Sequence, residues 1–430
     1  MTVPHLPGRK TVLFICSVQP NLAGYGMTMR VGFQVLSLAK LFDVTLLVLS
    51  ASRSEDDATR AIGPDIKASV TEVLVVGGHS PYSRLRRRLS ASPQLRVIFD
   101  MLWPSPMRCA YIAPLLKKGL IRLGDRSFDA LHCVGMENGI APKLMAGLGI
   151  SAGFRVLDIN DYESRAAPRA AQVLRRSHGF QYAVATRLEA LKWRAREWRD
   201  VPRFDVNLLC SALDAQLLAR RFRGQRFDVA PNVVRSPRPL DRKPNEAFTF
   251  LFVGHLGYEP NRDAILYFSR EILPSLRRGT TRAFRVLIVG RAPDETILAL
   301  AEQPDIEVVA GPDSVEPFYA AADVAIVPIR AGGGTRIKIL EAMSYGVAVV
   351  STSVGMEGLD AEPGKNVLVG DDAERFADCC RQLMVDDEQR KHIADAGRAL
   401  FQERYSAEAL DDVFSRIYSS VVGSTVSITE

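Results

Sequence analysis

The fold class is predicted from the stretch Val324-Ala-Ile-Val-Pro-Ile-Arg-Ala-Gly-Gly-Gly-Thr-Arg-Ile-Lys-Ile-Leu-Glu-Ala-Met343. It opens with a short, apolar, partly β-branched run, which predicts a strand buried on both faces. Three glycines follow, and a helix is predicted from there through Met343. A buried strand, a glycine loop and a helix in this order are typical of a parallel α/β sheet. Ligands of such sheets lie at the carboxyl ends of the strands.

The same alternation of strands and helices extends over the whole chain. Strands are predicted at 11–17, 44–49, 73–76, 130–134, 155–158, 206–210 and 227–230, and again at 248–253, 284–289, 306–310, 324–328 and 347–351. Helices are predicted at 30–40 and 264–276, and a last one at about 407–421. Residues 231–245 are rich in proline and charge, as linkers are. The pattern predicts two α/β domains, 1–235 and 236–405, each with a parallel sheet covered by helices.

Composition excludes several classes of protein. The 430 residues are 47% hydrophobic and 24% charged, as in ordinary globular proteins. The net charge of +6 fits an anionic ligand or an anionic membrane surface, and no nucleic-acid motif is present. The six cysteines match neither a zinc pattern nor a disulfide framework, so we expect reduced, buried thiols. Without an apolar leader or an apolar run of membrane length, a cytoplasmic location is expected.

The glycine loop predicts an anion site. Gly332, Gly333 and Gly334 let the backbone approach a ligand closely, and the amides after Thr335 open a helix whose dipole favours an anion. A diphosphate is the natural occupant. Arg336 lies near the helix start, within reach of the same anion.

The helix after this loop carries two more candidate residues. Lys338 and Glu341 are three residues apart and therefore share a helix face. Glu341 lies about 9 Å along the helix from Thr335, which suits a hydrogen bond to ribose hydroxyls beyond the phosphates. The alternative is a tight turn followed by a Lys–Glu surface pair.

Residues from about 250 to 405 resemble the donor domain of the family-four glycosyltransferases, which have the GT-B fold. The N-terminal half is similar to that family in layout only. The matching motifs are Phe252-Val-Gly254, Val289-Gly290, Ala322-Asp323, Lys338-Ile-Leu-Glu-Ala-Met-Ser-Tyr-Gly-Val-Ala-Val-Val-Ser351, Gly355-Met-Glu-Gly-Leu359 and Asn366-Val-Leu-Val369.

The resemblance implies two Rossmann-like domains that face a cleft, with the acceptor in the N-terminal domain and residues 406–430 returning to it. It implies transfer of a hexose, with retention and without a metal or other cofactor, from a nucleotide-sugar donor. The acceptor would be a glycan or a lipid-linked molecule in cell-surface polysaccharide or glycolipid synthesis. The alternatives are an epimerase or phosphorylase of the same fold, or a nucleotide-sugar-binding protein without transferase activity.

Two features depart from the family pattern. The family often has two glutamates separated by seven residues; Glu341 matches the ribose-binding second one, and the first falls at Gly333. The family also often places two cations on the diphosphate after the first strand of the donor domain, where this chain has His255 and Pro260. Arg336 and Lys338 add two cations on the other side of the same anion. We interpret this as a compensating exchange, because the leaving diphosphate still needs its charge stabilised.

Several loops supply the other candidate donor-binding residues. Gly254, His255 and Gly311 follow predicted strands of the second half. Gly24 and Gly26 follow the first strand, but position 29 is Met, so the dinucleotide fingerprint is incomplete. We predict that this loop faces the sugar or phosphate, with a plain strand–helix turn as the alternative.

Two acidic residues of the N-terminal half are candidate catalytic groups. Glu137 lies just beyond the strand where family members often carry a histidine, with Asn138 beside it. His132 lies within that strand and is interpreted as a core residue. Asp161 follows the strand at 155–158 and could contact the donor sugar or the acceptor, whereas Asp158 lines the same place or only caps a loop.

Segment 81–126 combines ten Lys or Arg and two Asp with interleaved apolar residues. It predicts two amphipathic helices, broken around Pro104 and Pro106. The cations are Arg84, Arg86, Arg87, Arg88, Arg96, Lys117, Lys118 and Arg122, and the apolar residues are Leu85, Leu89, Ile98, Phe99, Trp103 and Leu116. Interfacial helices that dock on anionic lipid have this composition. The alternative is a pair of helices that cover a sheet with their basic faces in solvent.

Overall fold

The computed structural model describes residues 8–24, 26–88, 93–103, 106–165, 180–235, 247–331 and 336–423. The chain divides into two compact units. The first comprises Met1–Asn232 and Leu410–Glu430, and the second comprises Val233–Ala409. Residues 236–245, which are most of the predicted linker, lie outside the described residues.

The described part of the first unit contains one sheet of seven parallel strands in the order β3-β2-β1-β4-β5-β6-β7. The strands are β1 Thr11–Cys16, β2 Asp43–Ser50, β3 Glu72–Gly77, β4 Ser127–Val134, β5 Ser151–Asn160, β6 Val206–Leu209 and β7 Phe227–Val229. From Val12 to Cys16 every residue of β1 is buried. This agrees with the continuous apolar run, because a strand with helices on both faces has no solvent-facing side.

Helices cover this sheet, and several begin at recognisable caps. Ser54 accepts a hydrogen bond from the Asp57 amide, and Ser211 accepts one from the Asp214 amide. The α-helices are Gly26–Leu41, Glu55–Ala61, Pro64–Ser69, Pro81–Arg88, Pro93–Leu102, Met107–Leu123, Ala141–Ala146, Phe180–Asp200 and Ala212–Arg221, and the 3₁₀ turns are Met136–Asn138 and Val201–Arg203.

The sequence prediction of two helices in 81–126 is wrong, because the structure has three: Pro81–Arg88, Pro93–Leu102 and Met107–Leu123. The helix Phe180–Asp200 is not predicted from the sequence pattern. Its inner face carries Arg196, Glu197 and Asp200, all buried and ion-paired. Buried charges replace apolar residues there and obscure the helical hydrophobic period.

A chain of buried polar side chains runs through the first unit. Arg30 forms a bidentate ion pair with Asp158, with Nε–Oδ2 and Nη2–Oδ1 distances of 2.8 and 2.7 Å. Gln34 Nε2 donates to Asp158 Oδ2 at 2.6 Å, and Gln34 Oε1 lies 3.3 Å from His132 Nε2. The other ring nitrogen of His132 lies 2.7 Å from the hydroxyl of Tyr418. Tyr418, from the C-terminal part of the first unit, is thereby bonded to β4.

The described part of the second unit contains a sheet of six parallel strands in the order β10-β9-β8-β11-β12-β13. The strands are β8 Phe248–Val253, β9 Phe284–Gly290, β10 Ile306–Ala310, β11 Val324–Val327, β12 Ala348–Ser351 and β13 Leu368–Val369. The helices are Glu259–Tyr267, Leu273–Arg278, Glu295–Leu298, Glu316–Ala320, Ile337–Ser344, Ser353–Met356, Ala373–Val385 and Asp387–Arg404, with a π turn at Phe268–Ile272 and a 3₁₀ turn at Ala299–Glu302. The predicted helix 264–276 therefore begins five residues earlier and contains the π turn. The helix Ala407–Ile417 begins in the second unit and continues into the first, to which Ser419–Val422 belongs.

Each sheet has one point where the strand order reverses. β1 lies between β2 and β4, and β8 lies between β9 and β11. The connections leave in opposite directions at these switch points, and the crevice that forms there at the carboxyl ends of the strands is where ligands of open α/β sheets bind. In the first unit the loops after β1 and β4 form this crevice; in the second unit those after β8 and β11 do. Among the described helices, none is long and apolar enough to cross a membrane.

Candidate functional site

Two glycines allow a close approach of the loops at the switch point of the second sheet. An ideal Cβ placed on Gly290, at the end of β9, would lie 1.7 Å from the carbonyl oxygen of Gly254. An ideal Cβ on Gly254 would lie 2.9 Å from Asn261 Nδ2 and 3.0 Å from Lys338 Nζ. The resemblance motifs Phe252-Val-Gly254 and Val289-Gly290 therefore have a steric reason: a side chain at either glycine would separate the loops.

Lys338 extends from the helix Ile337–Ser344 toward the end of β8. Its Nζ donates a hydrogen bond to Asn261 Oδ1 at 2.7 Å and lies 3.9 Å from the centroid of the Phe252 ring. Burial and, to a smaller extent, the charge of Arg336 lower the pKa of Lys338 to about 7, and Glu341 opposes the shift. The ammonium is therefore held in a site where an added negative charge would favour its protonated form.

Asn261 is a site residue that our sequence analysis missed. It lies in the first turn of the helix Glu259–Tyr267 and is buried. Its Nδ2 donates to the carbonyl oxygen of His255 at 2.9 Å, and its Oδ1 accepts from Lys338. The only local signal is Pro260, which is typical of a first helical turn and so places Asn261 at the carboxyl end of β8.

Glu341 lies on the same helix as Lys338, but the two do not pair with each other. The hydroxyl of Tyr319 donates to Glu341 Oε2 at 3.3 Å, while the Lys338 ammonium bonds to Asn261. Tyr319 is buried and stacks on Tyr345 at 4.7 Å between ring centroids. Burial raises the pKa of Glu341 to about 7, against the opposing effects of Tyr319 and Lys338. The alternative of a solvent-exposed Lys–Glu surface pair does not describe this geometry.

The glycine loop itself, Gly332, Gly333, Gly334 and Thr335, lies outside the described residues. Arg336 is the N-cap residue of the helix, in an extended backbone conformation, and its carbonyl oxygen accepts from the amide of Ile339 at 2.9 Å. Its guanidinium contributes positive charge at Lys338.

The other predicted donor-binding residues of the second unit lie at two places. His255 is exposed on the loop after β8, next to Gly254. Gly311 follows β10 with a φ of +60°, a conformation that favours glycine. β10 is two strands from β8, or about 10 Å at the usual strand spacing, so the sheet does not bring Gly311 beside Lys338.

The predicted glycine loop of the first unit lies at the switch point of its sheet. Gly24 has a φ of +115°, and Gly26 is the first residue of the helix Gly26–Leu41. This loop folds back on the helix so closely that an ideal Cβ on Gly32 would lie 2.4 Å from the carbonyl oxygen of Asn21. The conformation suits a tight strand–helix turn as well as a ligand loop, so both interpretations stand.

Glu137 and Asn138 lie in the 3₁₀ turn Met136–Asn138, directly after β4. Asn138 Nδ2 donates to Ser17 Oγ at 2.9 Å, which joins the loops after β1 and β4. Glu137 is buried, and within the part of the chain that the structure describes its Oε2 has no hydrogen-bond partner. A carboxylate oxygen in this position can accept a hydrogen bond from a hydroxyl.

The two aspartates after β5 have different surroundings. Asp158 is fully buried and bonded to Arg30 and Gln34, so it holds the interior of the unit together. Asp161 accepts from Asn160 Nδ2 at 3.0 Å and from the Cys210 thiol at 3.4 Å, and burial raises the pKa of its carboxyl group. His132 is buried in the core, as the sequence analysis expects.

A known protein family matches part of the second unit. Residues 247–386 match the family described as Glycosyl transferases group 1. A protein of the cps region of Klebsiella pneumoniae is 24% identical over 176 residues, which are 39% of this chain and 44% of that protein. The lipopolysaccharide core biosynthesis glycosyltransferase LpsE of Rhizobium meliloti is 33% identical over 111 residues, 25% of this chain and 32% of LpsE. The alignments thus span less than half the length of these relatives.

Solved structures match nearly the whole chain. Sucrose-phosphate synthase from Thermosynechococcus elongatus aligns with a TM-score of 0.63 at 14% identity, covering 96% of this chain and 99% of that one. HepE of Anabaena, solved with UDP and glucose, aligns with a TM-score of 0.61 at 12% identity, covering 96% of this chain and 100% of HepE. The chain therefore has the GT-B fold, and residues 247–386 of its second unit match the glycosyl transferases group 1 family.

Proposed function

We propose that this protein is a glycosyltransferase that takes a hexose from a nucleoside-diphosphate sugar, with retention and without a metal. One observation carries the proposal: Lys338 and Glu341 lie on one helix at the switch point of the second sheet, and the Lys338 ammonium approaches Gly254 so closely that an ideal Cβ there would lie 3.0 Å from Nζ. In this proposal the ammonium binds the diphosphate, and the carboxylate accepts hydrogen bonds from the ribose. The complex of HepE with UDP and glucose supports a nucleotide sugar as the donor.

The cations at the helix start have a chemical role in the transfer. As the sugar–phosphate bond breaks, negative charge grows on the leaving diphosphate, and fixed cations stabilise it more in the transition state than in the ground state. Arg336 and Lys338 supply this charge in place of the family cations that are absent at His255 and Pro260. The glycine loop 332–335 would add backbone amides to the same anion.

We assign the acceptor to the first unit. Glu137 lies at its switch point, where a buried carboxylate oxygen is able to accept a hydrogen bond from an acceptor hydroxyl. Asp161 follows the neighbouring strand β5 and is the second candidate. The name of LpsE, a lipopolysaccharide core enzyme, supports a surface polysaccharide or glycolipid as the product.

A lipid-linked acceptor would give the protein a reason to dock on an anionic membrane through segment 81–126. The helices Pro81–Arg88 and Pro93–Leu102 expose Leu85, Leu95, Ile98 and Leu102 by 44, 52, 50 and 79%. Arg84 and Arg88 are exposed on the same segment. Exposed leucines with flanking arginines have the make-up of an interfacial surface.

The structure narrows the residues that could take part in this docking. Leu116 is fully buried, and Phe99 and Trp103 pack with Tyr82. Arg86 pairs with Asp100, while Lys118 and Arg122 pair with Glu55. Leu89 and the side chains of Arg87 and Arg96 lie outside what the structure describes. The docking proposal therefore rests on Arg84, Arg88, Lys117 and the four exposed apolar residues.

A second candidate function is nucleotide-sugar binding without transfer, favoured by Gly333 at the position of the family's first glutamate. A panel of nucleotide sugars tested for thermal stabilisation identifies the donor, since a ligand at one hundred times its dissociation constant adds about 2.7 kcal/mol. Product analysis with that donor then separates the functions. A glycosylated acceptor with retained anomeric configuration supports the proposal. An isomerised donor indicates an epimerase, and binding without turnover indicates the binding protein.

A further inference from the structure

Asn261 joins the two loops that flank the switch point of the second sheet. Its amide nitrogen donates to the carbonyl oxygen of His255 on the loop after β8, at 2.9 Å. Its amide oxygen accepts from Lys338, on the helix that follows β11, at 2.7 Å. Asn261 is buried, so neither bond is exchanged freely with solvent.

The two bonds determine which way the amide faces. The backbone oxygen of His255 can only accept, so the NH₂ group must face it, and the carbonyl oxygen must face the ammonium. One of the three N–H groups of Lys338 is thus used by Asn261, and the ring of Phe252 covers another side at 3.9 Å. Among the described residues Lys338 donates to Asn261 alone, so its other N–H groups are available to an anion. The ammonium approaches Gly254 closely, since an ideal Cβ there would lie 3.0 Å from Nζ.

The charges around this ammonium make its protonation sensitive to its partners. Burial and the charge of Arg336 lower the pKa of Lys338, and Glu341 raises it. Two uncharged groups contact Nζ: the ring of Phe252 and the amide of Asn261. The titratable group on the adjoining loop is the imidazole of His255, which is exposed. A carbonyl oxygen facing the ammonium favours the charged form.

We propose that Asn261 is a positioning residue for the donor diphosphate, which holds the Lys338 ammonium charged and directed at the phosphate oxygens. This inference rests on the proposed function, because it takes Lys338 as the diphosphate ligand. A structural role alone would be different: Asn261 would only tie down the loop after β8, and its replacement would change stability without changing how Lys338 responds to pH.

The test measures the affinity for inorganic pyrophosphate and for UDP, ADP and GDP by titration calorimetry between pH 6 and pH 9. Pyrophosphate reports on the diphosphate site independently of base and sugar. We expect Asn261→Ala to weaken binding about tenfold at pH 7, which is about 1.4 kcal/mol. The loss of affinity with rising pH should begin at a lower pH than in the wild type, because the ammonium has lost an acceptor.

Asn261→Asp is the opposite perturbation at nearly constant shape. Its carboxylate would favour the ammonium, so the loss of affinity should begin at a higher pH than in the wild type. Binding should nevertheless be weaker at every pH, because the carboxylate repels the diphosphate. Opposite shifts of the two pH profiles are the result that a merely structural role does not produce.

Asn366→Ala is the matched control. Asn366 is also a buried asparagine of the second unit whose amide bonds to two backbone groups, the amide of Glu362 and the carbonyl of Ala396. We expect it to change the free energy of unfolding and to leave the pH profile of pyrophosphate binding unchanged. In a Lys338→Met background, Asn261→Ala should change pyrophosphate affinity less than twofold, because the group it positions is gone.

Three results would overturn the inference. Parallel pH profiles for Asn261→Ala and Asn261→Asp, or the same tenfold loss in the Lys338→Met background, refute the positioning role alone. A folded wild-type protein that binds neither pyrophosphate nor any of the three nucleoside diphosphates refutes the proposed function, and this inference with it.

Discussion

Glu341→Ala is the substitution that tests the proposed ribose contact. In the described residues its carboxylate accepts one long hydrogen bond, from the Tyr319 hydroxyl at 3.3 Å. A carboxylate has room for several donors, and a ribose offers two hydroxyls. Losing hydrogen bonds to a charged group costs about 1.5–3 kcal/mol. The dissociation constant of a ribonucleoside diphosphate should therefore rise about 10- to 150-fold.

The assay is calorimetric titration with three ligands: the ribonucleoside diphosphate that binds best, its 2′,3′-dideoxy analogue, and pyrophosphate. The wild type should bind the dideoxy analogue about as weakly as Glu341→Ala binds the natural ribonucleotide. Pyrophosphate has no ribose, so its affinity should change much less, only through the effect of the Glu341 charge on Lys338. A folded Glu341→Ala protein with unchanged affinity for the ribonucleotide refutes the assignment, and so does an equal loss for pyrophosphate.

The same carboxylate makes a prediction about stability. Burial raises the pKa of Glu341 to about 7, whereas in the unfolded chain it has the ordinary value near 4.5. Between pH 4.5 and pH 7 the folded state therefore binds a proton that the unfolded state has released. The contribution of Glu341 to the free energy of unfolding falls as the pH rises through this window. Glu341→Gln carries no charge, so it should lose less stability than the wild type between pH 5 and pH 8 in urea unfolding. Lys338 changes the pH dependence of stability mainly above this window, between its folded pKa of about 7 and its ordinary pKa of 10.5.

Three further predictions concern turnover, stability and membrane binding. Arg336→Ala or Lys338→Ala should lower kcat more than donor affinity, since both cations act on charge that grows in the transition state; normal turnover in both variants contradicts the compensating exchange. Asp158→Ala leaves the Arg30 guanidinium buried without its partner, so it should lower the free energy of unfolding by about 3–5 kcal/mol in urea; a loss below 1 kcal/mol argues against the buried network. The wild type should sediment with anionic but not with neutral vesicles, and salt should weaken this binding. Leu102→Ser should reduce the fraction of protein that sediments with anionic vesicles.

The membrane prediction needs a matched exposed residue. Val385→Ser changes an apolar side chain in the second unit that is 77% exposed, close to the 79% of Leu102, and it should not alter sedimentation. Equal loss in both variants, or no binding of the wild type to anionic vesicles, leaves segment 81–126 as a solvated helical surface.

The local sequence pattern was sufficient to predict most of the strands and several of the helices. Continuous apolar runs such as 11–17 and 248–253 predict strands buried on both faces, and the structure has β1 and β8 there. The helix bearing Lys338 and Glu341 follows a glycine loop, so both residues could be assigned to one helix face from their spacing alone. These properties depend on residues a few positions apart, which is the distance over which hydrophobic period and helix spacing are legible.

Contacts between distant positions depended on the tertiary structure. Arg30 and Asp158 are 128 residues apart, and Lys338 and Asn261 are 77 apart. These pairs meet because the strand order places β1, β4 and β5 side by side and β8 beside β11, which no local pattern specifies. The α/β pattern, the glycines at the strand ends and the cationic helix start could be predicted from local sequence. The pairing of Asn261 with Lys338, the internal ion pair of Asp158 and the exposure of particular leucines in 81–126 could not, because burial and pairing are properties of packed elements.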